Sequence, residues 1–292
     1  MRKGIYLIFC MLPFLPLTLG GCGSNHDAFA SSAIQAGGTA DNESTEAVSV
    51  SETDGALTVE ALTYEYETRE LYARRDENEI YGMIYVPQGA GEKMPAVIFS
   101  HGFGGNYQFG TQYAEALAAK GYVVYCFDFC GGSPESRSGG STLEMSIFTE
   151  QADLEAVIHT MREQSFVDKE NIFLMGTSQG GAVSAITATA NKEEIKGAIL
   201  LYPAFVLVDR TKEQFENVED IPDTYDLMWM TVGRAYAEKL LDYDIYKAIS
   251  TYDKDVLLIH GDADSIVPLS YSEKAVEAYD SARLEVDIVN IG

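Results

Sequence analysis

The chain has 292 residues, 46% of them hydrophobic, and a formal net charge of −25 from 20 basic and 45 acidic side chains. This length exceeds one average domain but is compatible with a single large α/β domain. A surface this acidic repels nucleic acid, so we expect no nucleic-acid partner.

The first residues read as an export signal. Arg2 and Lys3 precede a short apolar run, and small residues lead up to Cys22. The run is too short and too interrupted by proline to span a membrane as a helix. The LGGC stretch at 19–22 resembles a bacterial lipobox, which implies a lipoprotein signal peptide over 1–21 and a lipid on Cys22. The alternative is an ordinary cleaved signal with an incidental cysteine. A lipid anchor implies an extracytoplasmic protein attached to a bacterial cell membrane.

Residues 22–58 are rich in Ser, Gly, Ala, Asp and Glu and contain few large apolar side chains. Such a segment buries too little surface to offset the entropy of ordering it. We therefore predict a flexible acidic tether here. Residues 59–292 are then predicted to form the folded domain.

Strand and helix patterns alternate through that domain. A β-hairpin is predicted around the turn-forming residues 76–78. Short apolar runs predict further strands at 95–101, 122–128, 171–178, 197–203 and 255–261. Their nearly continuous hydrophobicity is typical of parallel strands that are covered on both faces. Between them lie amphipathic helical patterns, such as 149–163. This alternation predicts an α/β fold with a doubly wound, mostly parallel sheet.

Cys126 and Cys130 flank the end of one predicted strand. Four residues of extended chain separate them by about 13 Å, which is too far for a disulfide. We therefore predict two buried thiols. The sequence contains no CxxC pair and no Cys/His cluster, so neither a metal site nor a cofactor is expected.

An unusually long connection, residues 204–254, separates the last two of these predicted strands. A connection of that length in a compact domain usually has its own structure. We predict a small cap over the mouth of the active site. Its aromatic residues, which include Trp229, either shape an acyl or aryl pocket or form the core of the cap itself.

The strongest chemical signal is GTSQGG at 176–181, between a predicted strand and a predicted helix. This is the G-x-S-x-G pattern, in which a sharp bend between small neighbours exposes the serine, so Ser178 is the predicted nucleophile. The glycine-rich SHGFGGN loop at 100–106 ends an earlier strand. The backbone N–H groups of Phe103 and Gln179 are the predicted oxyanion hole. The alternative is a glycine-rich connection without a role.

A third motif, HGDADSIVP at 260–268, supplies a carboxylate after the nucleophile in the chain. With it, the chain from about residue 62 to its end resembles the α/β-hydrolase family on three separated motifs in the right order. The resemblance implies that Asp264 is the triad acid, with Asp262 as a loop-capping alternative. Within that family, HGFGGN, FDFCGGS and GTSQGG are most similar to the bacterial feruloyl (cinnamoyl) esterases.

This resemblance implies a serine esterase with a small-molecule ester as substrate. Ser178 attacks the ester carbonyl, an acyl-enzyme forms, and water releases the acid. Two alternatives are kept open: a peptidase of the prolyl-aminopeptidase type, and a catalytically dead surface binding module. The sequence does not predict an oligomeric state.

The general base is the missing member of this triad. The histidines of the chain are His26, His101, His159 and His260. His26 lies in the predicted tether, His159 lies opposite the apolar stripe of its helix, and the other two are expected to brace strand-end loops. The resembling family carries its base after the last strand, beyond the acid. We therefore expect a C-terminally incomplete domain whose catalytic histidine lies just beyond residue 292, and a nearly inactive chain. The alternative is a relative that has lost its base.

Overall fold

The structure is a computed structural model and describes residues 48–53, 56–61 and 63–287. Its strands are β1 (Val48–Thr53), β2 (Ala56–Ala61), β3 (Tyr66–Arg75), β4 (Asn78–Pro87), β5 (Met94–Ser100), β6 (Val123–Phe127), β7 (Val167–Thr177), β8 (Gly197–Leu201), β9 (Thr224–Leu227), β10 (Met230–Gly233), β11 (Asp255–Gly261) and β12 (Ala282–Asp287). Its α-helices are α1 (Thr111–Ala118), α2 (Ile147–Arg162), α3 (Ser178–Ala190), α4 (Leu207–Gln214), α5 (Ala235–Glu238), α6 (Ile245–Ile249) and α7 (Ser270–Ala278). All the predicted strands are present, with their ends shifted by a few residues.

Eight strands form one sheet in the order β12–β11–β8–β7–β5–β6–β4–β3. Neighbours from β12 to β6 run parallel, whereas β4 is antiparallel to both β6 and β3. The predicted doubly wound, mostly parallel sheet is therefore confirmed. The winding reverses at β5, because β6 lies on one side of it and β7 on the other. At such a switch point the loops that follow the two strands diverge and leave a crevice for a ligand.

Helices cover both faces of the sheet. On one face, Ala114 and Leu117 of α1 belong to a buried cluster with Val97 and Phe99 of β5. On the other face, α2 and α3 contribute to a larger core together with α6 and α7. The apolar stripe predicted for α2 is buried, and Ser146 caps the helix by accepting a hydrogen bond from the Thr149 N–H.

Cys126 and Cys130 are free and buried, as predicted. Burial raises the pKa of the Cys130 thiol to about 12 and also raises the pKa of the Cys126 thiol. Both side chains are therefore protonated at neutral pH and act as small apolar groups.

The connection predicted as a cap has its own secondary structure. It contains α4, α5, α6 and the antiparallel hairpin formed by β9 and β10. Phe215, Ile221, Ala237 and Leu241 form a separate small core within it. Met228 and Trp229 occupy the turn of the hairpin and are 52% and 67% exposed. Some of the cap's aromatic residues, such as Phe215, fill its core, whereas Trp229 does not.

The segment predicted as a tether differs in its last part. Residues 48–53 and 56–61 form the antiparallel β1–β2 hairpin, with Val48 opposite Ala61 and Thr53 opposite Ala56. Polar and apolar residues alternate in both strands, which favours a β-strand even in a segment of low overall hydrophobicity. The predicted signal peptide at 1–21, Cys22 and the rest of the tether up to residue 47 lie outside the described residues. Within the described part of the chain, every helix is too short or too polar to cross a membrane.

Candidate active site

Ser178 lies where β7 ends and α3 begins. Its φ is +50°, in the left-handed region that side-chain-bearing residues rarely adopt, so the bend holds the serine in a strained conformation. Gly176 and Gly180 permit this bend, because a Cβ on either would lie 2.3 Å from a backbone carbonyl oxygen. The side chain of Ser178 is partly exposed at the carboxyl edge of the sheet. This is the geometry that the G-x-S-x-G pattern predicts.

The loop after β5 lies against this serine. A Cβ on Gly102 would lie 3.2 Å from the Cβ of Ser178. The Gly105 N–H donates to the Gly102 carbonyl at 3.0 Å, which closes a tight turn around Phe103. Gln179 is the second residue of α3, so its backbone N–H has no partner within the helix. The structure therefore brings Phe103, Ser178 and Gln179 into one region of the sheet edge.

The buried side chain of His101 holds this loop in place through hydrogen bonds. Its Nδ1 donates to the Gly102 carbonyl at 2.8 Å, and its Nε2 accepts from the Phe129 N–H at 3.1 Å. Both ring nitrogens thus form hydrogen bonds. The imidazole is neutral and 1% exposed, and burial lowers its pKa. His101 is not oriented as a general base, which agrees with the role expected from the sequence.

Asp264 is fixed in the loop after β11. Its Oδ1 accepts from the N–H groups of Ile266 and Val267, at 2.8 and 2.9 Å. His260 supports the loop: its Nε2 donates to the Val267 carbonyl at 2.8 Å, while its Nδ1 accepts from the Ser272 hydroxyl at 2.7 Å. The second carboxylate oxygen, Oδ2, is 3.7 Å from His260 Nε2, and the Asp264 side chain is 23% exposed. Only Oδ1 of Asp264 is therefore engaged by the backbone of its own loop.

Ser178 and Asp264 follow strands that only β8 separates. Two strand spacings are about 10 Å, which leaves space for an imidazole ring between the two side chains. Tyr202, the first residue after β8, lies in this interval with φ +38° and is 36% exposed. The end of β12 lies on the far side of β11, where Asp287 is in register with Gly261.

The cap reaches this edge through aromatic contacts. The ring of Phe103 lies 5.8 Å from the ring of Trp229 and 5.8 Å from the ring of Tyr236. Trp229 also lies over Gly104, whose φ is +67° and where a Cβ would lie 2.5 Å from the indole Nε1. The hairpin turn of the cap thus covers the loop after β5.

A buried polar network lies behind Ser178. The side chain of Gln179 donates from Nε2 to Glu150 Oε2 at 2.8 Å and accepts at Oε1 from the Tyr236 hydroxyl at 2.5 Å. All three side chains are at most 2% exposed. Burial raises the pKa of the Glu150 carboxyl well above its usual range, although the hydrogen bond from Gln179 opposes this shift. This network joins α2, α3 and the cap.

Comparison with known proteins assigns the family. The family model described as Hydrolase_4, serine aminopeptidase S33, matches residues 91–242, just over half of the chain. The chain belongs to the serine aminopeptidase S33 family. Among the relatives of this S33 chain is the uncharacterized protein Rv2307c of Mycobacterium tuberculosis strain H37Rv. It is 27% identical over 227 residues, which cover 77% of this chain and 72% of that protein.

Solved structures similar to the S33 chain include Est1E and an acetyl xylan esterase. Est1E from Butyrivibrio proteoclasticus with ferulic acid bound has a TM-score of 0.68 and 25% identity, covering 75% of this chain and 89% of that chain. Acetyl xylan esterase 1 from Thermoanaerobacterium sp. JW/SL YS485 has a TM-score of 0.56 and 19% identity, covering 82% of this chain and 80% of that chain. The second likeness concerns the fold alone. Together with the sheet order, they establish the α/β-hydrolase fold that the sequence predicts.

Three residues of the S33 chain's site were not predicted from the sequence: Glu150, Tyr202 and Tyr236. Glu150 lies in a helix whose buried side is otherwise mainly apolar, where a charged residue is usually assigned to the surface. Tyr202 precedes a proline at a strand end, which was the one local signal of an unusual backbone. Tyr236 gave no signal, since its partners lie far away in the sequence. No group of metal-binding side chains occurs in the part of the chain that the structure describes.

Proposed function

We propose that this S33-family protein is a serine hydrolase that cleaves carboxylic esters. The observation that carries the proposal is the strained Ser178 at the start of α3, with the loop of Phe103 packed against it. The N-terminus of α3 favours the negative charge that develops beside this serine. A partly exposed nucleophile with backbone donors on both sides is the arrangement that acyl transfer requires.

The proposed reaction has two steps. Ser178 Oγ forms a bond to the ester carbonyl carbon, and the N–H groups of Phe103 and Gln179 stabilise the oxyanion. The carbon–alkoxide bond then breaks, the serine proton passes to the leaving alcohol through the base, and an acyl-enzyme remains. Water attacks the acyl carbon, the acid leaves, and Ser178 regains its proton. Asp264 orients and stabilises the base.

We further propose that the base is a histidine that enters the interval between Asp264 and Ser178, and that it is none of the described histidines in their present positions. His101 and His260 have both ring nitrogens engaged, and His159 is an exposed residue that pairs with Glu163. The interval between Asp264 and Ser178 spans two strand spacings and has room for an imidazole ring.

Two substrate classes are supported to different degrees. Esters are favoured because Est1E, which was solved with ferulic acid bound, has 25% identity to this chain and a TM-score of 0.68. The second candidate is an aminoacyl amide, because the family is described as serine aminopeptidase. We favour the ester, since the exposed Trp229 beside Phe103 is suited to an aromatic acyl group.

A rate assay on the 292-residue chain and its Ser178→Ala variant tests these proposals. We expect slow hydrolysis of p-nitrophenyl acetate and methyl ferulate, little hydrolysis of aminoacyl p-nitroanilides, and an increase in ester turnover when free imidazole is added. Added imidazole would then act as the general base that Ser178 needs. Equal ester turnover by Ser178→Ala would refute the assignment of Ser178 as the nucleophile. Fast Ser178-dependent turnover without imidazole would refute the proposed position of the base. Preferential cleavage of the anilides would favour the peptidase.

We also propose, from the LGGC pattern alone, that Cys22 carries a lipid that anchors the protein to the outer face of a bacterial membrane. Labelling cells with an alkynyl fatty acid should mark the wild-type protein and not a Cys22→Ser variant. An unlabelled wild-type protein would reject the anchor.

A further inference from the structure

Both residues assigned to the oxyanion hole contact the same residue of the cap. Tyr236, the second residue of α5, packs its ring edge-on against Phe103, with 5.8 Å between ring centroids and an angle of 76°. Its hydroxyl donates to Gln179 Oε1 at 2.5 Å. The two residues come from separate loops, after β5 and β7, and Tyr236 lies between their side chains.

The side chain of Gln179 is fixed at both ends of its amide. Tyr236 holds the oxygen, while Glu150 of α2 and the sulfur of Met145 lie 2.8 and 3.7 Å from the nitrogen. Gln179 is 1% exposed, so no solvent replaces a partner that is lost. A glutamine held in this way has its Cα, and with it its backbone N–H, fixed relative to the bend at Ser178.

We propose that Tyr236 is a positioning residue that holds the two oxyanion donors at a fixed separation and couples their alignment to the seating of the cap. This inference rests on the proposed function. Phe103 is positioned through ring packing and Gln179 through a hydrogen bond, so removal of the hydroxyl alone releases one donor and leaves the other. Oxyanion donors act only when they are aligned before the charge develops. A released donor should therefore slow the chemical step and leave ground-state binding nearly unchanged.

The rate of Ser178 phosphonylation by a fluorophosphonate, measured with added imidazole, tests this. Tyr236→Phe keeps the ring on Phe103 and removes only the hydroxyl. We expect its limiting rate to fall by about tenfold, less than the loss of a whole donor, with the inhibition constant within about twofold of wild type. Tyr246→Phe is the matched control. It removes another hydroxyl of the cap, which donates to the Tyr271 carbonyl at 3.2 Å, away from the oxyanion residues.

A second variant removes the same hydrogen bond from its other partner, so the inference can be tested even if Tyr236→Phe does not fold. Gln179→Met loses both side-chain hydrogen bonds and keeps the backbone N–H, so we expect a similar loss of rate. The double variant with Tyr236→Phe should then be no slower than the slower single variant, because both changes remove the same contact. Circular dichroism and thermal melting establish that each variant is folded.

The outcomes separate this inference from the function on which it rests. If wild type is not labelled at Ser178, both are overturned. If wild type is labelled and Tyr236→Phe reacts at the same limiting rate, only the inference is overturned. A weaker inhibition constant with an unchanged limiting rate also overturns it, because Tyr236 would then act on binding.

Discussion

Glu150 is the buried residue whose replacement should change the pH dependence of stability most directly. It is 1% exposed, and burial raises the pKa of its carboxyl well above the usual range. Asp153 lies near it and adds to this shift, whereas the hydrogen bond from Gln179 opposes it. Glu150→Gln keeps an oxygen that can accept from Gln179 and removes the titration.

The raised pKa of Glu150 determines how the free energy of unfolding changes with pH. A carboxyl whose pKa is raised in the folded state holds a proton there after the unfolded chain has lost its own, at about pH 4.3. The stabilisation is complete below that pH and is lost as the pH rises toward the folded-state pKa. Within this window the free energy of unfolding of wild type should fall, relative to Glu150→Gln, by about 1.4 kcal/mol per pH unit.

Urea unfolding of both proteins at several pH values between about 5 and 9 measures this difference. Glu155→Gln is the control, because Glu155 lies on the same helix and is exposed. The free energy of unfolding of Glu155→Gln should change with pH as that of wild type does. If the Glu150→Gln curve also runs parallel to wild type over the whole range, Glu150 is not held protonated and the reasoning fails.

Three further predictions follow from contacts elsewhere. Gly180→Ala should destabilise the fold by about 1–3 kcal/mol in urea, because the new Cβ would lie 2.3 Å from two carbonyl oxygens at the end of β5; an unchanged midpoint would contradict this. Arg75→Ala should lower the free energy of unfolding by about 3–5 kcal/mol, because it leaves the buried Asp153 without the guanidinium 2.5 Å away. Adding Asp153→Asn should restore part of this stability. Trp229→Ala should change stability by less than about 0.5 kcal/mol, since the ring is 67% exposed, and should raise KM for methyl ferulate more than for p-nitrophenyl acetate.

The fold was predictable because its signals are local. The apolar runs that form β5, β7 and β11 are short and bounded by turn residues. Few structures other than buried parallel strands fit this pattern. The β1–β2 hairpin was missed for the opposite reason. Its alternation at 48–53 and 56–61 is brief, and the average composition of the surrounding tether conceals it.

The site was predictable only where one motif defines a backbone shape. The bend at Ser178 follows from three positions that need small residues, and the structure gives it the positive φ that the pattern requires. The partners of Gln179 have no such signature. Glu150 and Tyr236 lie 29 and 57 residues away in sequence, and only the packing of α2 and the cap brings them together.

Four buried polar side chains around the sheet edge share one task, which explains why they are tolerated in the core. His101 accepts from the first residues after β6 and donates to the loop after β5, and His260 holds the loop that carries Asp264. Asp128 accepts from the N–H groups of residues 107 and 137, at 2.7 Å each, and Asp153 accepts from the N–H of residue 130 at 2.9 Å. Each of these groups is at most 1% exposed and is bonded to backbone that would otherwise be free to move. Hydrogen bonds to this backbone offset the desolvation of the buried groups, and they fix the loops that carry the residues proposed for catalysis before any substrate binds.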